Sequence, residues 1–334
     1  MKIAIHHSPG SFSGRWIEYC EKKGIEYKLV NAYKSDIVEQ IKGCDAFMWH
    51  HHHANYKDAL FAKQLIYSLE MSGIKCFPGF YTTWHFDDKV GQKYLLESIG
   101  APLVPSYTFY TKAEAEEWVN ETDFPKVFKL RGGAGSSNVK LAHTKKEARQ
   151  LVKRAFGKGF SQYSSIDNIK ERWRKYKLGQ TDIKDVIKGV VRFVYKPEFA
   201  KFHAPEKGYV YFQDFVPDNK YDIRVIVIDG KAFAIKRLVR DNDFRASGSG
   251  FILYNKSEIP EECVVIAFEL TKKLRAQCLG FDFVFKGDTP MIVEMGYGFG
   301  YHGYDDCPGY WTEDLEWHEG PFVPQEWMVQ SVIK

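Results

Sequence analysis

No C-x-x-C pair occurs in this 334-residue chain, and its six cysteines stand far apart, at 20, 44, 76, 263, 278 and 307. That spacing argues against a zinc ribbon or a disulfide frame; reduced thiols buried as filler are expected. No apolar run approaches the ~20 residues of a membrane helix, and the opening MKIAIHHSPG has one lysine and too short an apolar stretch for a secretory signal. Neither sign of charge dominates: 47 Lys/Arg stand against 43 Asp/Glu, a formal +4, so nothing global calls for nucleic acid or an anionic membrane. Internal repeats and low-complexity segments are also lacking. These absences leave a cytoplasmic protein with no nucleic-acid or membrane partner. What is present, 44% hydrophobic and 16% aromatic residues, indicates a well-filled globular interior, and the length suits two or three domains sharing a cleft.

KIAIHH, EYKLVNA and CDAFMWH read as strands, with helical stretches at 13 to 23 and in NYKDALFAKQLIYSLEMSG. Strands alternating with helices imply a small parallel α/β unit, expected over residues 1–86. A helix, DKVGQKYLLESIG, follows and is closed by Gly100. A central unit is expected over 87–210. It contains a hairpin from 124 to 142 and then a basic segment, 143–207, with 17 Lys/Arg against 7 Asp/Glu. That segment reads as a solvated helical face, or as a basic lid for an anionic substrate. Strands return in a third unit, 211–334: YVYFQDF (reaching back to 209), DIRVIVIDG, KAFAIKRLVR, FDFVFKG and MIVEMG, with helix EECVVIAFELTKKLRAQCLG among them. The overall class is α/β with α+β character.

The glycine run in KVFKLRGGAGSSNVKLA raises the question of phosphate binding. A P-loop needs its lysine after the glycines and a helix beyond them; here Lys129 precedes them and a strand follows. A dinucleotide fingerprint fails for want of the same helix. A hairpin loop can still close over phosphates with its backbone N–H groups, which glycine allows to approach closely.

Five stretches in register resemble the ATP-grasp superfamily, in the branch of glutathione synthetases and ribosomal-protein glutamate ligases, over about residues 87 to 300. They are DK at 88–89, KVFKLRGGAGSSNV, FQDFVPDNKYDIRVIVIDGKAFAIKR, DFRASGSG, and the pair LGFDFVF and MIVEMGYG. The resemblance implies an ATP-grasp fold behind the N-terminal α/β unit. It implies ATP and Mg²⁺ as cofactors, and carboxylate–amine ligation through an acyl phosphate. Lys89 and Lys129 would neutralise phosphate oxygens as point charges. Gly132, Gly133, Gly135, Ser136 and Ser137 would form the lid over the β- and γ-phosphates. Gln213 and Phe215 would offer their main chain to adenine, with Val127 or Phe215 on its face, and Asp222 would take a ribose hydroxyl. Arg224, Arg237 and Arg245 fall where the family stabilises the transferring phosphoryl group, a task suited to the guanidinium fork. Asp282 and Glu294 would hold Mg²⁺ with phosphate oxygens; two carboxylates on adjacent apolar strands are costly to bury without such a purpose. The chain departs from the family at Gly296 and Ser247, where Asn is usual. A kinase acting on a hydroxyl of an anionic small molecule, and a regulatory ATP-binding protein, remain the alternatives.

Three features lie outside the resemblance. Ser11, Ser13 and Arg15 follow the first strand, where a helix N-terminus receives anions, though a structural turn serves equally. His50–His53 follow a strand into a loop and read as polar residues facing the cleft rather than a zinc site. The aromatic tail from Tyr301 suggests a wrap over the cleft or a homodimer contact, and Cys307, with no assigned base, reads as filler.

Overall fold

The computed structural model describes residues 1–132, 139–161, 169, 172–173, 176, 182–194, 204–239 and 251–334. Strands β1 (Lys2–His6), β2 (Glu26–Val30), β3 (Ala46–Trp49) and β4 (Lys75–Phe77) form a parallel sheet in the order β2-β1-β3-β4. Every residue of β3 is buried, as befits a strand with both faces covered. Helices α1 (Ser13–Lys23), α2 (Ile37–Ile41) and α3 (Tyr56–Met71) connect these strands, and α4 (Phe80–Thr83) follows β4. α1 stops where Gly24 adopts the left-handed conformation (φ 66°), its N–H returning to the carbonyls of Cys20 and Glu21.

α5 (Lys89–Ser98) leads into an antiparallel sheet in the order β5-β8-β6-β7. Its strands are β5 (Ser106–Phe109), β6 (Lys126–Lys129), β7 (Val139–Ala142) and β8 (Val210–Asp214), the last straddling the expected boundary at 210. β6 and β7 pair antiparallel, Lys129 opposite Val139, with the glycine run between them in the sequence. α6 (Lys112–Glu121) and α7 (Lys145–Ala155) begin alike, Thr111 and Thr144 capping the N–H of Glu114 and Glu147, the T-x-x-E signature of a helix start. They bury Ala115, Val119, Ala148 and Val152 against Phe128 and Phe212 of the sheet. α8 (Ile183–Val194) lies in the basic segment.

The third sheet is antiparallel, in the order β13-β12-β9-β10-β14-β15, with β11 paired to β10. Its strands are β9 (Tyr221–Ile228), β10 (Lys231–Leu238), β11 (Ile252–Leu253), β12 (Cys278–Lys286), β13 (Thr289–Gly296), β14 (Gly309–Thr312) and β15 (Trp317–Glu319). α9 (Glu261–Lys273) covers β9 and β12. Much of the aromatic tail packs within the chain. Its strands extend this sheet, and α10 (Pro324–Ile333) packs on α1, joining Trp16 and Phe77 to Phe233, Trp327 and Met328 in one core. All six cysteines are free and buried. No helix among the described residues is long and apolar enough to cross a membrane.

Candidate active site

The three sheets converge on a cavity of about 590 Å³. Lys89 enters from the first turn of α5, Val127 and Lys129 from β6, and Gln213 and Phe215 from the end of β8. Asp222 and Arg224 come from β9, Asp282 from β12 and Glu294 from β13. Register places the charges: Asp282 stands opposite Arg224 on one side and Glu294 on the other.

The Lys89 ammonium is 2.9 Å from Glu294 Oε1. Burial pulls its pKa down, but Glu294 and Asp87 more than offset this and hold it above the ordinary lysine value. Lys129 is buried and, among the described residues, pairs with no carboxylate; its Nζ donates to Gln213 Oε1 at 2.6 Å. Desolvation, reinforced by Lys89 and only partly offset by Glu294, lowers it to about 8. Gln213 is thus engaged at the cavity through its side chain, whose amide also donates to Ser106 Oγ at 3.0 Å, while Phe215 lies just past the strand.

Arg237 does not line the cavity but stands behind it. It donates twice to Asp222, at 2.6 Å each, and lies 3.0 Å from Asp282. The carboxylate expected to meet a ribose is therefore already held by its neighbour across β9 and β10. Burial raises Asp222 above the usual carboxylate range, against the pull of Arg237. Asp282, equally buried, is held far below that range by Arg224 and Arg237. Gly133, Gly135, Ser136, Ser137, Arg245 and Ser247 lie outside the described residues. Gly132 is at the foot of the hairpin loop, its N–H directed at Glu206 Oε1 (3.4 Å).

A family model, the RimK-like ATP-grasp domain, matches residues 202–306. Among solved structures, the chain is similar over its whole length to a RimK domain ATP-grasp protein from Sphaerobacter thermophilus, with 13% identity, 100% and 99% of the two chains covered, and a TM-score of 0.59. D-alanine–D-alanine ligase from Bacillus anthracis aligns at 17% identity over 90% of this chain and 88% of that one, with a TM-score of 0.53. N5-carboxyaminoimidazole ribonucleotide synthetase from Thermotoga maritima aligns at 15% over 91% and 70%, with a TM-score of 0.54. The fold is that of the ATP-grasp superfamily. A search of curated protein sequences finds no match.

Two oxygen donors, Asp282 and Glu294, face one another at the cavity, a hard donor set whose chemistry fits Mg²⁺. No third side-chain donor comes from Gly296. The Phe86 ring lies beside that position: a Cβ at 296 would stand in ordinary van der Waals contact with it, 3.4 Å from Cδ2, and one at 298 would be tighter, 3.2 Å from Cζ.

The histidines and aromatic rings of the N-terminal wall carry no charge. His50 stacks on Phe12 (centroids 3.6 Å apart, 3° between planes) and accepts the Phe12 N–H through Nδ1. His52 and His53 line the cavity beside Phe86, and His51 turns inward to Thr83. Desolvation lowers His50 to about 3 and His52 and His53 to about 4, so all three are neutral at pH 7. Among the described residues no group of three or more His, Cys, Asp or Glu is arranged around a metal position. Arg15, a candidate for an anion or for a structural turn, makes two 2.7 Å bonds to Asp305 and covers the Tyr301 ring. Ser11 and Ser13 bond each other at 2.7 Å within the turn.

Two further residues shape the site. Asp88 caps α5 and takes both arms of Arg131, at 2.9 and 2.6 Å, which ties the foot of the loop to the helix bearing Lys89. Glu206 accepts the N–H of Arg131 at 3.1 Å and the Tyr209 hydroxyl. Neither was singled out from the sequence, although an Asp immediately before the α5 residues is a usable cap signal.

Proposed function

We propose that this chain is an ATP- and Mg²⁺-dependent ligase joining a carboxylate to an amine. One observation carries the reading: two buried lysines, Lys89 and Lys129, and two opposed carboxylates, Asp282 and Glu294, share a nucleotide-sized cavity. No serine, threonine or cysteine is among the described residues lining it, which disfavours a covalent enzyme intermediate on such a side chain. Three parts, 1–86, 87–210 and 211–334, would build the site.

In the first step a substrate carboxylate oxygen attacks the γ-phosphorus of ATP, and the bond to the β-phosphate oxygen breaks, releasing ADP. In the second, the amine nitrogen attacks the acyl carbon; phosphate leaves and the nitrogen loses a proton. Lys89 and Lys129 neutralise the phosphates, Arg224 and Arg245 receive the phosphoryl oxygens, and Arg237 orients Asp282. Asp282 and Glu294 would hold Mg²⁺, which shields charge on the phosphates. Val127 and Phe215 would flank adenine. The test is incubation with ATP, Mg²⁺ and mixed amino acids, reading ADP and hydroxylamine-trapped acyl phosphate. Trapping supports ligation; ADP released only with a hydroxyl acceptor refutes it in favour of a kinase, and no ADP with bound ATP indicates a regulatory protein.

A further inference from the structure

The two buried lysines of the cavity are held in different ways. Lys89 meets a carboxylate, its ammonium 2.9 Å from Glu294 Oε1. Lys129 meets an amide, its Nζ 2.6 Å from Gln213 Oε1, and among the described residues it forms no ion pair.

A chain of hydrogen bonds behind the amide fixes which end faces the lysine. Ser106 stands opposite Gln213 in the pairing of β5 with β8, and Lys129 stands opposite Tyr211 in the pairing of β6 with β8. The Ser106 hydroxyl donates to the Val104 carbonyl at 2.8 Å. Its one proton is then used, so toward its other neighbours the oxygen accepts. It accepts from the Tyr211 hydroxyl at 2.9 Å and from Gln213 Nε2 at 3.0 Å. The amide therefore presents its NH₂ end to Ser106, which turns Oε1 toward Lys129. A second acceptor agrees with that orientation, the Val293 carbonyl, 3.4 Å from Gln213 Nε2. Val293 is the extra residue of a bulge in β13: Asp282 pairs with Glu294 and Phe283 with Ile292, so Val293 has no counterpart on β12. One amide thus joins the lysine of β6, the serine of β5 and the backbone beside Glu294. Ser106, Lys129, Tyr211 and Gln213 are all buried, which makes each of these bonds costly to leave unmade.

Glutamate would fill the same volume as Gln213. It would also give Lys129 a counter-ion in direct contact, and it has no N–H for Ser106 or Val293. An amide supplies the acceptor without the charge.

We propose that Gln213 is a positioning residue of the nucleotide site: its side-chain amide holds Lys129 in place and leaves the ammonium charge for the phosphates. This rests on the ATP-binding part of the ligase reading. Gln213 acts here through Lys129, and its side chain needs no contact with the base.

The experiment is calorimetric titration of the whole chain, in the presence of Mg²⁺, with a non-hydrolysable ATP analogue and with adenosine, which lacks the phosphates. Gln213→Met keeps the length of the side chain and removes the acceptor. It should weaken the analogue about ten-fold or more and change adenosine by less than about two-fold, because a bond to a charged group is lost only where phosphate is bound. Gln213→Glu restores an acceptor but pairs with Lys129, so it should not rescue the analogue. Ser106→Ala releases the amide from behind and should weaken the analogue about three-fold with adenosine unaltered. If Gln213→Met fails to fold, Ser106→Ala decides the matter by the same comparison. Equal losses for the analogue and adenosine indicate packing alone and overturn the proposal. So does full affinity for the analogue in Gln213→Met, in Gln213→Glu or in Ser106→Ala. A parent chain that binds neither probe removes the nucleotide reading and this one together; a parent that binds the analogue, with variants that bind it equally well, removes only this one.

Discussion

Asp282 and Arg224 face each other across β12 and β9 and share two hydrogen bonds, Arg224 Nη2 lying 2.6 Å from Asp282 Oδ2. The carboxylate proposed to hold Mg²⁺ is thus also the counter-ion of a buried arginine, with Arg237 close by on the same oxygen pair. Breaking such a pair leaves an uncompensated buried charge, which costs about 3–5 kcal/mol. Asp282→Asn should therefore abolish ADP formation and lower the unfolding free energy by about 3 kcal/mol at pH 7, measured by urea denaturation. Glu294→Gln should abolish ADP formation as well; full turnover in that variant would remove the metal assignment.

Gly296→Asn introduces the residue usual in the family that the chain resembles; its Cβ would already touch the Phe86 ring at 3.4 Å, so the amide beyond it competes with that ring for space. Overfilling a packed site costs about 1–3 kcal/mol. The variant should lose stability in that range and weaken ATP turnover by displacing Phe86 from the cavity wall. Gly296→Asn combined with Phe86→Ala should recover part of the loss. If the single variant is as stable as the parent, Phe86 does not crowd that position in solution.

Lys129 supplies a pH test of the nucleotide site. Its pKa is lowered to about 8, so the charge that would meet a phosphate is complete below pH 7 and disappears above pH 8. Phosphate raises that pKa in the complex. Affinity for ATP, measured without Mg²⁺, should be level below pH 7 and fall by up to about ten-fold per pH unit above 8. Lys129→Arg, charged throughout, should flatten the profile. A wild-type profile level to pH 9.5 would show that Lys129 does not meet the phosphates.

The distinction between what was and was not legible runs along partners. Apolar alternation and turn residues disclosed the strands, because burial on one face imposes that period. Lys129 before its glycines and two acids on adjacent apolar strands disclosed the charged cavity. The pairing of Arg15 with Asp305 was not legible, since that partner is 290 residues away and a sequence shows residue types, not partners. Asp222 was recoverable. Asp229 and Gly230, both at positive φ, form a two-residue hairpin turn, and counting back from the Ile228–Lys231 pair sets Asp222 opposite Arg237. The Phe86 ring over Gly296 was not recoverable, because it depends on how three sheets meet.

The histidine run should make the fold acid-sensitive well above the range where carboxylates titrate. His50 is lowered to about 3 by desolvation, His51 well below its usual value, and buried His85 to about 4. In the unfolded chain each titrates near pH ~6.5. Between that value and the folded values, the unfolded chain binds protons that the native chain does not. Stability then falls as pH is lowered, and the stabilisation is complete only above about 6.5. Each fully buried ring contributes up to about 1.4 kcal/mol per pH unit within the window. Urea unfolding at pH 7, 6 and 5 should show a loss equivalent to more than one proton. His50→Asn, which keeps an acceptor for the Phe12 N–H, should reduce that slope by about one proton. A wild-type stability unchanged between pH 7 and pH 5 would mean that these rings take up protons in the native state, and the absence of charge inferred for the histidines on the N-terminal side of the cavity would be wrong.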